Sequence, residues 1–551
     1  MGVSEKTENG KKRDVTGDFL LCNRCGSCRF VCPLISVYRE EWAGARGKVE
    51  LAEAFFRGEK IDDKELRKIF DLCLHCMTCE ENCPSGVRAD EIVMAARAEM
   101  ARRGMMPRVK RLALRFLEGA DNGLFRIMRL LGLVRRGPLH GVGGKSPLSI
   151  FYPLLGWPRE RFIPLPAEKP FLASGPELYP AAAAAISWPD GETLRRLATS
   201  ASFDLMRAED LARRAASARE RNLAAGARVY FFVGHSVNNF FPEEARAVVR
   251  LLNILGIDVL APRDQLCCGA PVYYAGDIEG ARESAMRVLE SLEGKRYDWI
   301  VSTCSSGSLM LKNEFPRLFD LNYDGYFEIS WDPELETFRR NPERSGTRRK
   351  YARAEDLYRN YVEGKVRDVN ELVADMLGLS HEGKAVKGLF GEAEELHEPR
   401  RDETAAAKSQ PVVTYHHPCH LSRGQDVDWQ PEAILEALPG YRFVRMKDAD
   451  RCCGGGGAFA FLNAGVSAEI ARVKMDAVEA VRPAVVATAC PLCRIQLMDM
   501  IRRRFGNGAK GKGKKAAAIP VRTPAELLLE DLESLLPAGR EAAGAAIPAA
   551  R

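Results

Sequence analysis

The sequence predicts an α+β protein of several domains, with a mostly helical N-terminal domain followed, after a connector, by a pseudo-symmetric pair of α/β cysteine-rich repeats. Three observations predict this. The 16 cysteines among 551 residues fall in groups, and two of these groups are quartets within residues 19–103, separated by helix-like sequence. From residue 227 onward, short apolar runs of strand length alternate with helical stretches, and one strand-then-cysteine plan occurs twice. The intervals repeat as well: His235 to Cys267 is 32 positions and Cys419 to Cys452 is 33, while Cys268 to Cys304 is 36 and Cys453 to Cys490 is 37.

Composition narrows the class. An apolar fraction of 46% and a charged fraction of 28% are those of a soluble globular protein long enough for two or three buried cores. The net charge of +6 is modest and requires no nucleic-acid partner. No run of 18 apolar residues is present, so no membrane span is expected. The leader, residues 1–18, is polar, without an apolar export segment or twin arginine, and has Lys6 where a myristoylation motif needs Ser or Thr. Grouped thiols behind such a leader read as metal ligands in a reducing compartment, and the expected location is cytoplasmic.

Taken in order, residues 19–103 form the first domain, with helices expected at 49–57 and 63–71. Its quartets read Cys22-Asn-Arg-Cys25-Gly-Ser-Cys28-Arg-Phe-Val-Cys32-Pro33 and Cys73-Leu-His-Cys76-Met-Thr-Cys79-Glu-Glu-Asn-Cys83-Pro84. Two-residue gaps let three consecutive thiolates wrap one face of an iron-sulfur cube, and Gly26 and Gly86 let backbone N–H groups approach it. In a two-cluster ferredoxin-like domain the fourth cysteine of each run serves the other cluster. One [4Fe-4S] cubane would then take Cys22, Cys25, Cys28 and Cys83, and its neighbour Cys73, Cys76, Cys79 and Cys32. The competing reading is a pair of four-cysteine zinc sites. His75, inside the second run, is expected at the surface or behind the ligands, not as a ligand.

Residues 104–226 are a proline-rich connector with short helices. Residues 101–137 hold ten Lys or Arg against two acids, with apolar pairs between arginines. Such a segment suits an amphipathic helix on an anionic membrane face or a membrane partner, through Arg126, Arg129, Arg135 and Arg136; a solvated basic face is the alternative.

The first repeat, 227–330, has an apolar strand at 229–233 ending at His235, a helix at 243–255, a strand at 258–261 leading to Cys267-Cys268-Gly269, and a strand at 299–302 ending at Cys304. Residues 331–410 are a helical insertion with a charged linker at 382–408. The second repeat, 411–530, has strands at 412–415, 441–445 and 484–488, leading to Cys419, Cys452-Cys453-Gly454 and Cys490. Every candidate ligand thus follows a strand's C-terminal end at a helix start, where α/β sheets place ligands and backbone N–H groups favour anions. Gly454 to Gly457 lack the spacing and Lys-Ser/Thr of a phosphate loop and instead permit close backbone approach. Residues 506–515 and the tail, 531–551, have the composition of disordered segments.

The pattern Cys419, Cys452-Cys453-Gly454, Cys490-Pro-Leu-Cys493 resembles the cysteine-rich CCG domain of heterodisulfide reductase subunits. With the N-terminal quartets, the chain resembles the iron-sulfur subunits of anaerobic glycerol-3-phosphate dehydrogenase and glycolate oxidase and the catalytic iron-sulfur subunit of membrane-bound heterodisulfide reductase. The segments His417-Pro-Cys419-His420-Leu and Pro491-Leu-Cys493-Arg-Ile-Gln496 share in this. The resemblance implies that Cys419, Cys452, Cys453, Cys490 and Cys493 hold a non-cubane [4Fe-4S] cluster at which terminal chemistry occurs. The first repeat departs from the pattern: His235 stands in the place of Cys419 and Gly307 in that of Cys493. Cys267, Cys268 and Cys304, with or without His235, are left to hold a smaller cluster, zinc or nothing.

The implied role is an electron-transfer subunit of an anaerobic-type oxidoreductase. It would work between a flavoprotein dehydrogenase, or a membrane cytochrome or quinone-reactive subunit, and an acceptor. No Gly-x-Gly-x-x-Gly follows a strand, so any flavin belongs to a partner. Two alternatives stand beside it: a heterodisulfide-reductase-like subunit that reduces a disulfide at the C-terminal cluster, and a zinc-binding structural module.

Overall fold

The computed structural model describes residues 16–118, 161–194 (without 163, 165, 184, 185, 190 and 191), 203–321, 327–340 (without 328), 351–381, 384–385, 409–505 (without 458) and 519–536. The N-terminal part is helical. Helices Ala45–Phe56, Asp63–Asp71 and Ala89–Arg102 pack around Phe19, Val49, Ala52, Phe70, Ile92 and Val93. The helix expected at 63–71 has those bounds because Asp62 caps it, its carboxylate accepting from the backbone N–H groups of Lys64 and Glu65 at 3.0 and 2.9 Å.

Strands β1 (Leu178–Tyr179), β2 (Arg228–Phe231), β3 (Asp258–Leu260) and β4 (Trp299–Ser302) begin the first sheet. The chain then leaves it for a hairpin, β5 (Ile329–Asp332) and β6 (Thr337–Arg340), and returns with β7 (Val366–Asp368). The sheet order is β1-β3-β2-β4-β7, parallel except for the edge strand β1. After a short antiparallel pair, β8 (Ser380–His381) and β9 (Lys384–Ala385), the second sheet is built from β10 (Val412–His416), β11 (Arg442–Phe443), β12 (Val485–Thr488) and β13 (Val521–Arg522). Its order is β11-β10-β12-β13, all parallel, with Val413 opposite Val485 and His416 opposite Thr488. Without β1, each sheet places the first strand of its repeat between the second and the third. The order therefore reverses beside β2 and β10, and the crevice beyond their C-terminal ends is where such sheets bind ligands.

These strands are apolar on both faces because helices cover both. Val229 and Phe231 in β2 and Val486 and Ala487 in β12 are fully buried. One core joins the sheets: Leu251 and Leu252 of helix Pro242–Ile254 pack with Leu372 and Val373 of Val369–Met376, Ile434 of Gln430–Ala437, and Leu528 and Leu532 of Pro524–Leu535. The helices after the last strand of each repeat open with the same device, a capping box made by Asp368 with Glu371 and by Thr523 with Glu526.

The structure differs from the sequence expectation in three places, the first at the C-terminus, where residues 531–535, expected in a disordered tail, complete helix Pro524–Leu535 and bury Leu532 and Leu535 in the shared core. The connector contains a 21-residue helix, Leu205–Ala225, which buries Ala208, Leu211, Ala212, Ala215 and Ala218 in the shared core, and it also supplies β1. The stretch assigned to an insertion supplies β7, so the first sheet runs past residue 330. Within the basic segment, helix Arg108–Glu118 is tied to the protein's own acids, with Lys110 2.9 Å from Asp71 and Arg115 3.1 Å from Asp277. Its continuation with Arg126, Arg129, Arg135 and Arg136 lies outside the described residues, as do most of the charged linker, 506–518 and 537–551. Among the described residues no helix is long and apolar enough to cross a membrane.

One carboxylate in this packing gives a pH prediction. Asp531 is 5% exposed, accepts the Gly440 N–H at 3.0 Å, and is raised by burial to about 6. Its unfolded value is about 3.9, so the folded state binds the extra proton between about pH 4 and 6, and stability contributed by Asp531 is lost as pH rises through that window. Asp531→Asn keeps the acceptor and removes the ionisation. It is expected to stabilise the anaerobic protein by on the order of 1–2 kcal/mol at pH 7.5 and by little at pH 4.5. Equal effects at both pH values in denaturant titrations would refute the burial account.

Candidate metal centres

Two cavities gather the N-terminal thiols. The first, with about 420 Å³ of empty space, is lined by Cys32, Cys73, Cys76 and Cys79 together with Lys48 and Asp90. The second, with about 400 Å³, is lined by Cys22, Cys25, Cys28 and Cys83, with Cys79 on the wall between them. The fourth cysteine of each run thus sits with the other run's first three. The turns are set by backbone in the left-handed region at Gly26 (φ 82) and Met77 (φ 56), each directly before a short helix that carries the next cysteine. Lys48 is buried at the first cavity, its ammonium donating to the Ala43 carbonyl. Burial pushes its proton affinity down, while Cys73 and Cys32 pull it up.

The second repeat brings its five cysteines together at the ends of β10 and β12. Cys419 starts helix Cys419–Gln425 and adjoins Cys452; Cys453 adjoins Cys493, which also adjoins Cys490. Cys493 lies within hydrogen-bonding range of both Cys453 and Cys490 and lowers their proton affinity against the opposing effect of burial. The glycine run allows this approach: a Cβ on Gly454 (φ 81) would stand 2.6 Å from the Ser467 carbonyl, and one on Gly455 would stand 3.4 Å from Cys453 Sγ. The N-terminal thiols, four to a cavity, and the five thiols gathered in the second repeat with glycine backbone against them are donor sets that fit iron-sulfur clusters.

In the first repeat, Cys267 and Cys268 adjoin each other, and His235, the first residue of helix His235–Phe240, acts on Cys268 through its charge. Cys304 faces Cys490 and Cys268, so the two repeats meet at their cysteine ends. A Cβ at Gly307 would lie 3.6 Å from Cys304 Sγ, the seat of the thiol this repeat lacks.

Three rings mark where the N-terminal part meets both repeats. Tyr274 lies between His75 and His420, with ring centroids 5.4 and 5.2 Å away. His420 donates from Nε2 to the His75 carbonyl at 3.0 Å and accepts at Nδ1 from the Ser306 hydroxyl at 2.9 Å; burial lowers it to about 4, so it is neutral. His75 is buried, not at the surface, and its Nε2 accepts from Arg97 at 2.6 Å. Arg97 also donates to the carbonyls of Phe70, Cys73 and Tyr274, the last at 2.6 Å. At this junction the Cys76 and Cys452 thiols face each other, each altering the other's proton affinity.

Sequence reasoning missed Arg97, Tyr274, Lys48, Lys474 and His416. Lys474, buried and lowered by that burial to about 8, donates to the Ala449 carbonyl at 3.0 Å behind Cys453. His416 ends β10, two residues beyond the core-facing Thr414, and is buried among the thiols. A histidine at a strand end, three residues before a cysteine, was the available signal. The other four sit inside helices or turns, where nothing local distinguishes them.

Residues 18–87 match the family model of a 4Fe-4S dicluster domain, and residues 229–312 and 413–498 each match that of a cysteine-rich domain. The chain thus joins a 4Fe-4S dicluster domain to two cysteine-rich domains, and relatives that align along most of it are iron-sulfur subunits of oxidoreductases. It is 24% identical to the probable glycolate oxidase iron-sulfur subunit of Bacillus subtilis (strain 168), over 94% of this chain and 95% of that protein. It is 22% identical to the glycolate oxidase iron-sulfur subunit of Escherichia coli (strain K12), over 90% and 93%. With a subunit of the fumarate reductase (CoM/CoB) of Methanothermobacter marburgensis it shares 26% identity over 50% of this chain but 43% of that protein.

The junction's close packing can be tested at Gly276, whose φ is 91 and where a Cβ would stand 2.6 Å from the Arg97 backbone. Gly58 has a similar φ of 82 and open space around it. Gly58→Ala is expected to cost about 1 kcal/mol, from backbone strain alone. Gly276→Ala is expected to cost about 2–4 kcal/mol, because overpacking adds to the strain. Apparent melting temperatures and hydrogen exchange across residues 270–276 would report this; equal costs would mean the contact is loose.

Proposed function

We propose that this chain relays electrons between a partner dehydrogenase and an acceptor, through two [4Fe-4S] cubanes and a C-terminal non-cubane cluster. Cys22, Cys25, Cys28 and Cys83 would hold one cubane, Cys32, Cys73, Cys76 and Cys79 the other, and Cys419, Cys452, Cys453, Cys490 and Cys493 the third centre. Such centres, when bound, take up and give back single electrons. The observation that carries this reading is the file of thiols: Cys79 lies on the wall shared by the two N-terminal cavities, and Cys76 faces Cys452. The three sets are therefore neighbours in one row. Along it, Cys25 is exposed, while Cys76, Cys452, Cys453, Cys490 and Cys493 are buried, which favours entry or exit of electrons at the Cys25 end.

The chain's own residues keep this row dry and charge-balanced. Lys48 and Lys474 bring buried positive charge to the thiolates, and the Tyr274 and His420 rings close the junction against water. Cys267, Cys268, Cys304 and His235 belong to the wall of the third site in this reading. Relatives that align along nearly the whole of this chain are named for glycolate oxidase, and matches over about half of it are named lactate utilization protein A. A partner that oxidises a small 2-hydroxy acid is therefore the first to test.

The anaerobically purified chain should be brown, with about eight irons in the N-terminal sites and more in the third. Cys453→Ala is expected to abolish the paramagnetic signal of the third centre and electron delivery to the acceptor while both cubanes stay reducible. Cys268→Ala should cost stability more than turnover. Equal loss of that signal and of turnover in the two variants, with folding intact, would show that the repeats share one centre. Disulfide reduction by the isolated chain with reduced viologen would move terminal chemistry to the third site itself.

A further inference from the structure

The second repeat carries a histidine whose ring is set up to bind a metal. His416 is 1% exposed. Its Nδ1 lies 3.2 Å from the Ala449 carbonyl oxygen, which can only accept, so Nδ1 carries the proton. That carbonyl is fixed, since it also takes the His417 N–H at 3.0 Å and the Lys474 ammonium at 3.0 Å. In the neutral ring the nitrogen that does not carry the proton keeps its lone pair, and here that nitrogen is Nε2. Nε2 makes no hydrogen bond of good distance and angle, although the ring stands close enough to the Cys453 thiol for each to act on the other. An imidazole nitrogen of His416 and the sulfurs of Cys453 and Cys493 lie within 4.8 Å of one another, and among the described residues no other three His, Cys, Asp or Glu side chains come so close. A ring N–H held by a backbone carbonyl, which leaves the other nitrogen free for a metal, is how proteins orient histidine ligands.

The first repeat supplies the contrast. Phe232 stands three residues before His235, as His416 stands three before Cys419, and Gly307 takes the place of Cys493. A Cβ on Gly307 would touch the Phe232 ring at 3.8 Å. The two donors that flank Cys453 in one repeat are thus replaced together by an apolar contact in the other.

We propose that His416 ligates an iron of the C-terminal cluster through Nε2, beside Cys453 or Cys493, so that this centre has five thiolates and one imidazole. The inference rests on the reading of the second repeat as a cluster site. A neutral imidazole adds no negative charge where a sixth thiolate would, and replacing a thiolate by histidine raises cluster potentials.

The test uses the full-length holoprotein, purified anaerobically and poised so that the third centre is paramagnetic. Electron–nuclear double resonance should show a strongly coupled nitrogen that changes on ¹⁵N-histidine labelling and is absent in His416→Phe. In His416→Cys the centre should assemble without that nitrogen and with a lower midpoint potential. Intact cubane signals in both variants serve as the folding control. A third centre without a directly coupled histidine nitrogen, or one whose coupling survives His416→Phe, would overturn the assignment to His416 and leave the relay reading standing. A paramagnetic third centre that survives Cys453→Ala unchanged would overturn the cluster reading itself, and the His416 proposal with it.

Discussion

The arrangement turns on one buried cation. Arg97 projects from helix Ala89–Arg102 and uses all five of its N–H groups: on the carbonyls of Phe70 and Cys73, on His75 Nε2, and on the carbonyl of Tyr274. Three of these partners belong to the turn that begins the second quartet, and the fourth belongs to the first repeat. The fork of a guanidinium fits several carbonyls at once, which a lysine's point charge does not. Removing it would leave buried carbonyls unpaired at about 1–3 kcal/mol each. Through Arg97 the loop that holds Cys73 and Cys76 is fixed to the repeats, and the approach of Cys76 to Cys452 follows from that.

The same logic of buried charge runs along the row of thiols. Cysteine thiolates cannot be taken out of water cheaply unless positive charge or N–H groups face them. Lys48 stands at the first cavity and Lys474 behind Cys453, each anchored to a backbone carbonyl of a turn and not to a carboxylate. Their charge is thereby left available to the sulfurs. At the rim, Arg423 bridges Glu81 of the N-terminal part and Asp450 of the second repeat at 2.5 Å each, so the interface beside Cys76 and Cys452 is clamped by charge as well as by packing.

Much of this was legible in the sequence, and the reasons for the gaps are physical. Strands at 258–261, 299–302 and 484–488 could be read because each is a short apolar run stopped by a cysteine and followed by a helix. The expected and observed bounds agree at 299–302 and differ by one residue at one end in the other two. The two quartets could be read because ligand spacing on a cube is local chemistry. What escaped notice depends on partners distant in sequence. Leu205–Ala225 presents small alanines at helical spacing, a weak apolar signal that gains meaning only against the sheet it covers. The strand β7 is three residues long and is a strand only because Ile300 and Ser302 lie beside it. Arg97 reads like any arginine on a charged helix, since its partner Tyr274 lies 177 positions away.

The asymmetry of the repeats also has a structural logic. The first repeat lacks thiols at 235 and 307, yet its helix Ser305–Leu309 lies against helix Cys419–Gln425 at the heart of the third site. It holds that position with hydroxyls. Ser305 donates to the Ala489 carbonyl at 3.0 Å, just before Cys490; Ser306 bonds His420; and Gln425 donates to Ser308 Oγ and to the Ser305 carbonyl at 3.0 Å. These bonds fix the backbone on both sides of Cys419 and Cys490 from outside their own repeat. A repeat that gives up its own ligands can therefore keep a constant role as the wall that orients its neighbour's. Two of its three remaining thiols, Cys268 and Cys304, then act on the site through their electrostatic influence on Tyr274 and Cys490, with no requirement that they hold iron.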